Sequence, residues 1–391
     1  MKPHYRIFGI FFIFALTMGA LLSRLPDLQV QFGLTEGQLG LLLLTMSVGA
    51  LLGLTVSSPF IERLGARKTA FITVFGASLC YLFIPFMPSA LLAAPFFFVA
   101  GIFAGALEIN VNLETDRHEA MLGYRIMSRA HGMWSLGFFV TAFIAAGVRQ
   151  LGISPEIHIF GALVVAGIAG YFVFSKIENA PHRPDSHAGD MPLIAFPTIG
   201  LLPLCLIGAA PLLVEGGGID WSAIYMRDVF DASPFLGGMS ITVFSLFMAL
   251  ARIFMDPVVD RYSPRIVAGA LLGIAALGLV IVGVAPHPYV ALFGFVLMGL
   301  GCSSVYPLAV SAAAQRTDRP ASVNVASLGQ MTFVVFFAGP PLLGFVAQSF
   351  GIRMSYFTIL PLILAALLVI RALAPRPVPL TTEPEPISPH G

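Results

Sequence analysis

Residues 62–67 read Glu-Arg-Leu-Gly-Ala-Arg, and residues 260–265 read Asp-Arg-Tyr-Ser-Pro-Arg. Each stretch directly follows a long apolar run, and position 62 lies 198 positions before position 260. The same offset relates Gly101 to Gly299, which both lie inside later apolar runs. Two matches at one offset predict that the chain consists of two duplicated halves.

Apolar runs of transmembrane length recur along both halves. The 391 residues are 57% hydrophobic and only 10% charged, whereas soluble domains carry about 25% charged residues. Mean hydropathy is +0.90, and each run is close to the ~20 residues that cross hydrocarbon. The twelve predicted helices cover 6–23, 38–59, 69–88, 91–113, 127–148, 156–175, 197–226, 235–254, 266–285, 289–313, 322–347 and 354–373.

The distribution of Lys and Arg predicts the orientation. Only Arg24, Arg149, Arg227 and Arg353 fall on one side, which leaves 17 of the 21 basic residues on the other. Because positive charge collects on the cytoplasmic side, both termini are predicted to be cytoplasmic. The predicted domains are an N-terminal six-helix bundle (1–175), a cytoplasmic linker (176–196), a C-terminal six-helix bundle (197–374) and a disordered cytoplasmic tail (375–391).

Several classes of function lack support in the sequence. A net charge of +1 gives no electrostatic basis for binding nucleic acid. There is no glycine-rich phosphate loop ending in Lys and no Ser/His/Asp pattern. Cys80, Cys205 and Cys302 lie in apolar runs and are interpreted as small core residues. The sequence therefore predicts no enzyme, no metal site and no cofactor.

Residues 58–68, Ser-Pro-Phe-Ile-Glu-Arg-Leu-Gly-Ala-Arg-Lys, resemble the loop between the second and third helices of major facilitator transporters. The family pattern is G-x-x-x-D-R-x-G-R-R/K, in which Glu62 takes the acidic position and Arg63 and Gly65 match. This resemblance implies the major facilitator fold, an all-α integral membrane protein with twelve transmembrane helices in two pseudo-symmetric six-helix bundles. It also implies that the loop helps to latch the cytoplasmic side.

Within the superfamily the chain resembles a YbjJ-like bacterial branch that is related to the rhizopine-linked membrane protein MosC. The resemblance implies a secondary transporter of the bacterial inner membrane that works by alternating access. Because no phosphate loop for ATP drive is present, we expect an ion-driven carrier of a small polar organic solute, with protons as the coupling ion, and we expect it to act as a monomer. The rhizopine link implies a sugar-, polyol- or amino-sugar-like solute. The matching segments are 23–28, 109–111, 131–137, 215–221, 260–264 and 339–344.

The direction of transport is the least constrained part of this prediction. Efflux antiporters of the superfamily often carry a Gly-Pro motif in the fifth helix, whereas the fifth run here has no proline. The sequence Gly-Pro-Pro occurs instead at 339–341, in the eleventh run. This pattern favours uptake by symport over proton-coupled efflux of a drug or metabolite. A membrane sensor that moves no solute is a further alternative.

Polar side chains inside apolar runs are the candidate site residues, because a charge at the bilayer centre costs about 2.5–3.5 kcal/mol on insertion scales. In the fourth run Gly101, Gly105, Glu108 and Asn112 share one helical face. Glu108 is the candidate proton carrier, and the alternative is an ion pair with an arginine. His131 in the fifth run is a candidate gate or proton relay, and the alternative is a packing role.

The seventh run contains three consecutive glycines, at 216–218, which predict a break or hinge. Broken helices at midplane depth are where transporters bind ligands. Glu215 and Asp220 are therefore candidates for solute binding or proton coupling, and Trp221 is a candidate to stack on a sugar ring. Alternatively, Asp220 and Trp221 mark the outer end of the helix.

Three further polar residues lie in the tenth and eleventh runs. The repeat offset places Tyr306 opposite Glu108, which predicts a position in the cavity. Asn324 and Gln330 either contact solute or bond to neighbouring helices, and the second alternative is favoured.

Two groups of charged residues are candidate gates. Arg24 and Asp27, at the outer end of the first run, are predicted to pair with each other or with Asp220, and the alternative is an arginine that snorkels to the interface. The duplicated loops are predicted to form inner-gate ion pairs. The residues of that inner gate are Glu62, Arg63, Arg67, Asp260, Arg261 and Arg265.

Overall fold

The computed structural model describes residues 3–124, 126–177, 180–181 and 195–373. Over these ranges eleven helices are long and apolar enough to cross a membrane, and a shorter apolar helix follows them. The predicted linker falls largely, and the predicted tail wholly, outside the described residues. In chain order α1 to α12 are His4–Gln31, Glu36–Val56, Ser58–Phe86, Ala90–Leu122, Met127–Gln150, Pro155–Phe174, Leu202–Phe230, Pro234–Phe254, Pro264–Val284, Pro288–Ala314, Val323–Phe350 and Ile352–Leu368.

The helices form two six-helix bundles, α1–α6 and α7–α12, so the predicted fold class is confirmed. In each bundle the fourth helix packs closely on the second. A Cβ atom on Gly101 of α4 would overlap the carbonyl oxygen of Met46 in α2, and one on Gly299 of α10 would overlap that of Phe244 in α8. Both residue pairs obey the offset of 198, so the internal repeat read from the sequence is present in the packing.

The duplicated loops share an unusual backbone conformation. Gly65, in the first loop, has φ 77° and ψ 162°, and Ser263, at the equivalent position, has φ 75° and ψ 148°. This left-handed region is populated almost only by glycine, and other residues there cost about 1–3 kcal/mol. The second loop therefore stores strain that the first loop avoids.

Replacement of Ser263 by glycine is expected to stabilise the protein by about 1 kcal/mol, since relief of strain outweighs the added entropy of the unfolded chain. The measurement is the free energy of unfolding in mixed micelles. Gly65→Ser, the converse change in the matching loop, is expected to destabilise the protein by about 1–3 kcal/mol. Equal effects of the two substitutions would show that these loops are not conformationally equivalent.

The fourth helix is longer than the predicted segment 91–113, because it continues to Leu122 beyond the apolar run. Polar contacts stabilise the added turns. Glu114 pairs with Arg117 at 2.7 Å, and the Glu119 carboxylate accepts hydrogen bonds from the backbone of the next helix. Hydropathy does not register such contacts, which is why the prediction ended too early.

Candidate functional site

A cavity of about 220 Å³ lies between the two bundles. Its walls come from α1, α2, α4 and α5 of the first bundle and from α7, α8, α10 and α11 of the second. We call the face that carries the stretches 62–68 and 260–265 the inner face, and the opposite face the outer face. The cavity follows α2 as far as Leu54, two residues before the inner end of that helix.

On the first bundle a chain of hydrogen bonds reaches the cavity. The Asn112 amide donates to Glu108 Oε1 at 2.8 Å, and Asn112 Oδ1 lies 3.2 Å from His131 Nε2. Because the amide nitrogen is the donor to Glu108, its oxygen must accept, which assigns the proton of His131 to Nε2. Glu108 and His131 both line the cavity. The fold therefore brings together three of the predicted site residues.

On the second bundle Arg252 of α8 is the centre of a buried polar network. Its guanidinium donates to Glu215 Oε2 at 3.0 Å, to the carbonyl oxygen of Ser303 at 3.0 Å and to Ser135 Oγ at 2.9 Å. Ser135 belongs to the first bundle, and Ser128 of that bundle donates to the Arg252 carbonyl oxygen at 2.7 Å. Arg252 therefore joins Glu215 in the second bundle to α5 in the first.

The triple glycine of α7 does not break the helix. Gly217–Trp221 form one π-helical turn, and the helix continues on both sides of it. A wider turn carries one extra residue and is common at functional sites. Asp220 lies in this turn and lines the cavity. Within the part of the chain that is described, no hydrogen bond or ion pair engages its carboxylate.

Trp221 occupies a different environment from the one predicted. Its side chain is fully buried, and its ring packs so closely on α11 that a Cβ atom on Gly344 would lie 3.0 Å from it. A side chain with no accessible surface has no face to offer a solute in this conformation. The structure therefore corrects both predicted roles, stacking on a sugar ring and anchoring at the membrane interface. The Trp221 ring packs between α7 and α11.

Tyr306 and Glu108 lie on opposite bundles and both line the cavity. The repeat offset placed these two residues opposite each other, and the structure has the same arrangement.

Asn324 and Gln330 stabilise the inner end of the second bundle. Asn324 donates to Asp318 Oδ1 at 3.1 Å, and Gln330 accepts from the backbone nitrogen of Ala195 at 2.8 Å. The Arg316 guanidinium, which donates to the Asp318 carboxylate, holds the pKa of that carboxyl well below its usual range. The solute-contact interpretation of Asn324 is corrected, because this amide is fully buried in the loop network.

Arg24 pairs with Asp27, the other predicted outer-gate residue of α1, which is one of the two predicted pairings. Arg24 Nη1 lies 2.9 Å from Asp27 Oδ2, and Arg149 of α5 binds the same carboxylate at 2.9 Å. Arg24 is 2% exposed, which is too buried for an arginine that snorkels to the interface. Asp220 is not its partner.

The outer face is closed by contacts between the bundles. Arg227 of α7 donates to the carbonyl oxygen of Pro26 at 3.1 Å and to Gln29 Oε1 at 2.8 Å. Thr35 Oγ1, at the start of α2, donates to Gln348 Oε1 of α11 at 3.0 Å. Deeper in, a Cβ atom on Gly40 would lie 2.6 Å from the carbonyl oxygen of Pro340. In their outer halves α2 and α11 therefore touch at the backbone.

The predicted inner-gate ion pairs are not formed. Among the described residues no ion pair or hydrogen bond involves the charged groups of the six inner-gate side chains, and all six are exposed. The bundles meet at the outer face in this conformation, whereas the ion pairs of an inner gate belong to the state in which the inner face is closed. A gating role stays a prediction for Glu62, Arg63, Arg67, Asp260, Arg261 and Arg265.

Arg252 is the main site residue that the sequence-based prediction missed. It lies near the inner end of an apolar run and was counted among the basic residues that set the orientation. The partners of its guanidinium are 37 to 117 positions away in the chain, so no local spacing indicates them. Trp134, which lines the cavity one residue before Ser135, was missed for the same reason.

Over the described ranges no three His, Cys, Asp or Glu side chains are placed to hold a metal ion.

Comparison with known proteins agrees with this architecture. The Major Facilitator Superfamily model matches residues 216–389. An uncharacterised MFS-type transporter of Yersinia pestis is 29% identical over 93% of both chains, and the membrane protein MosC of Rhizobium meliloti is 24% identical over 88% of this chain and 83% of its own. The human organic anion transporter MFSD10 superposes on 95% of this chain and 100% of its own, with a TM-score of 0.70 and 17% identity. The second half of the chain therefore matches the Major Facilitator Superfamily model, and the chain as a whole is similar to MFS-type transporters in sequence and in fold.

Proposed function

We propose that this protein is a proton-coupled secondary transporter that moves a small polar organic solute by alternating access. The observation that carries the proposal is a central cavity, closed at the outer face, in which a Glu108–Asn112–His131 chain faces the Glu215–Arg252 pair. Titratable groups inside the membrane are costly and typically serve ion or solute pathways. The protein would act as a monomer in the inner membrane with both termini in the cytoplasm and with the linker at 176–196 between its domains.

The solute class follows from the resemblance to rhizopine-linked proteins and from the charge of the cavity. Sugars, polyols and amino sugars are the candidates. Of these, amino sugars carry a cation that the cavity carboxylates can bind. Uptake by symport remains the favoured direction.

Proton-coupled efflux is the second candidate, and one observation favours it. Six Phe and Trp rings line the cavity beside Tyr306, and an apolar wall suits a drug-like metabolite better than a polyol. The six residues are Phe14, Trp134, Phe138, Phe333, Phe336 and Phe337. A sensor that binds solute without moving it is the remaining alternative, and flux of any solute across a membrane would exclude it.

The proposal is tested by solute-induced pH change in proteoliposomes. A thermal-shift screen of polyols, amino sugars, organic acids and drugs supplies the solute. Wild-type protein is expected to move protons with the solute, and the sign of the pH change distinguishes symport from antiport. Glu108→Gln is expected to reduce the proton flux at least about tenfold, as loss of a positioned acid does elsewhere.

Glu156→Gln serves as the control for this experiment. Glu156 lies in the first turn of α6 near the outer face, outside the central cavity, so its neutralisation is expected to leave proton flux unchanged. Solute-driven proton flux that is as large in Glu108→Gln as in wild type would contradict the role of Glu108.

A further inference from the structure

We propose that the central cavity binds an organic cation with an apolar, ring-bearing body, whose charge is held by Glu108 and Asp220. This inference rests on the proposed transport function, and within it favours the second candidate, exchange of a drug-like solute for protons, over uptake of a sugar or polyol. It follows from three features of the cavity: its uncompensated carboxylates, the engagement of its one arginine, and the aromatic rings of its wall.

The first feature is an excess of acid in the cavity wall. Three carboxylates, Glu108, Glu215 and Asp220, line the cavity together with a single guanidinium, that of Arg252. Arg252 pairs with Glu215 at 3.0 Å, and both side chains are about nine-tenths buried. Glu108 receives one neutral amide hydrogen bond, and Asp220 receives none among the described residues. Two acids are therefore left to balance a positive charge from outside the protein.

The second feature is that the charge of Arg252 is already balanced inside the protein. Each nitrogen of its guanidinium donates to a protein acceptor: Nε to Ser303, Nη1 to Ser135 and Nη2 to Glu215. These bonds use three of its five N–H groups, and an anion at the remaining two would compete with the buried Glu215 carboxylate for the same positive charge, which is unfavourable. A cation meets no such barrier, because the carboxylates of Glu108 and Asp220 lie in the wall of the cavity.

The third feature is the apolar remainder of the wall. Aromatic rings come from both bundles, Phe14, Trp134 and Phe138 from the first and Phe333, Phe336 and Phe337 from the second. Trp134 and Phe138 are in mutual contact, with ring centroids 4.5 Å apart. Aromatic faces attract ammonium groups and pack on apolar rings. A solute made only of hydroxyl groups would lose hydrogen bonds to water here without replacing them.

The test is a series of one-ring probes that differ in charge. Isothermal titration of the full-length protein in detergent at pH 7 compares 2-phenylethylamine, 2-phenylethanol and phenylacetate, with ethanolamine as the amine that lacks a ring. The phenylethylamine cation is expected to bind at least about tenfold more tightly than each of the other three. Neutral or anionic probes that bind as tightly as the amine, or an amine that shows no binding at millimolar concentration, would overturn the proposal.

Variants of the cavity carboxylates test which of them bind the charged group of the amine. Each of two cavity variants, Glu108→Gln and Asp220→Asn, is expected to weaken the binding of phenylethylamine at least about fivefold and to leave the affinity for phenylethanol unchanged. Glu156→Gln is expected to change neither affinity. Unchanged affinity for the amine in both cavity variants would refute the site. If either variant fails to fold, the comparison of probes on wild-type protein decides alone.

Transport measurements separate this inference from the function on which it rests. If the amine binds but labelled amine does not exchange across proteoliposomes, the transport proposal fails and the cation site stands. If a sugar or polyol is transported and the amine does not compete with it, transport stands and the cation site fails.

Discussion

Replacement of Arg252 by Gln is expected to destabilise the protein by about 3–5 kcal/mol, because it leaves the Glu215 carboxylate unpaired in the membrane interior. The pair lies at 3.0 Å with side chains that are 9% and 10% exposed. The same change removes donors to Ser303 and Ser135. The measurement is the free energy of unfolding from a titration with SDS in mixed micelles.

The double variant Arg252→Gln/Glu215→Gln distinguishes an unpaired charge from lost packing. Two neutral amides leave no buried charge, so much of the lost stability is expected to return. Arg129→Gln is the control, since Arg129 is exposed at the inner end of α5 and its change is expected to stay within about 0.5 kcal/mol. An Arg252→Gln variant as stable as the control would contradict the assignment of Arg252 as the centre of the network.

Gly40→Val is expected to prevent the outer face from closing and to reduce transport at least about tenfold. A Cβ atom at this position would lie 2.6 Å from the backbone oxygen of Pro340, where no side chain can move aside. Overpacking of this kind costs about 1–3 kcal/mol. That cost falls only on the outward-closed state, so the equilibrium shifts about 5- to 150-fold toward the outward-open state.

The opening is measured with a thiol at Ser47, a residue of α2 that lines the cavity. In a Ser47→Cys background, an impermeant thiol reagent at the outer face is expected to label Gly40→Val faster than the parent. The native cysteines are buried. Gly147→Val is the matched control, because a Cβ atom there has no neighbour within 4 Å. Equal labelling rates in the three proteins would refute a closing contact at Gly40.

Several features of the fold were predictable because they depend on local or periodic patterns. Apolar runs of bilayer length indicate helices directly, and the offset of 198 positions indicates duplication. Residues related by this offset are also structurally equivalent. Gly101 and Gly299 make the same kind of close helix contact, and Gly65 and Ser263 have the same backbone conformation. Helix ends held by ion pairs, such as the end of α4, were not predictable from hydropathy.

The candidate site was predictable only in part. Four polar residues in apolar runs were predicted as site residues, and all four line the cavity: Glu108, His131, Glu215 and Asp220. The same pattern also selected Trp221, which is fully buried between helices. A polar side chain in an apolar run would cost free energy if it faced lipid, so it is expected to point away from lipid. The pattern does not indicate whether that side chain faces a cavity or a neighbouring helix.

The sequence by itself determined the membrane location of the helices, their number and the twofold repeat, because hydropathy and duplication are properties of the chain read in order. Only the tertiary structure decided which charges meet. Arg252 reaches Glu215 and Ser135 because α5, α7 and α8 converge on one cavity wall, and the six inner-gate side chains stand apart because the bundles close at the opposite face. Pairing of charges depends on distances of a few ångströms between segments far apart in sequence, and those distances exist only once the helices have packed.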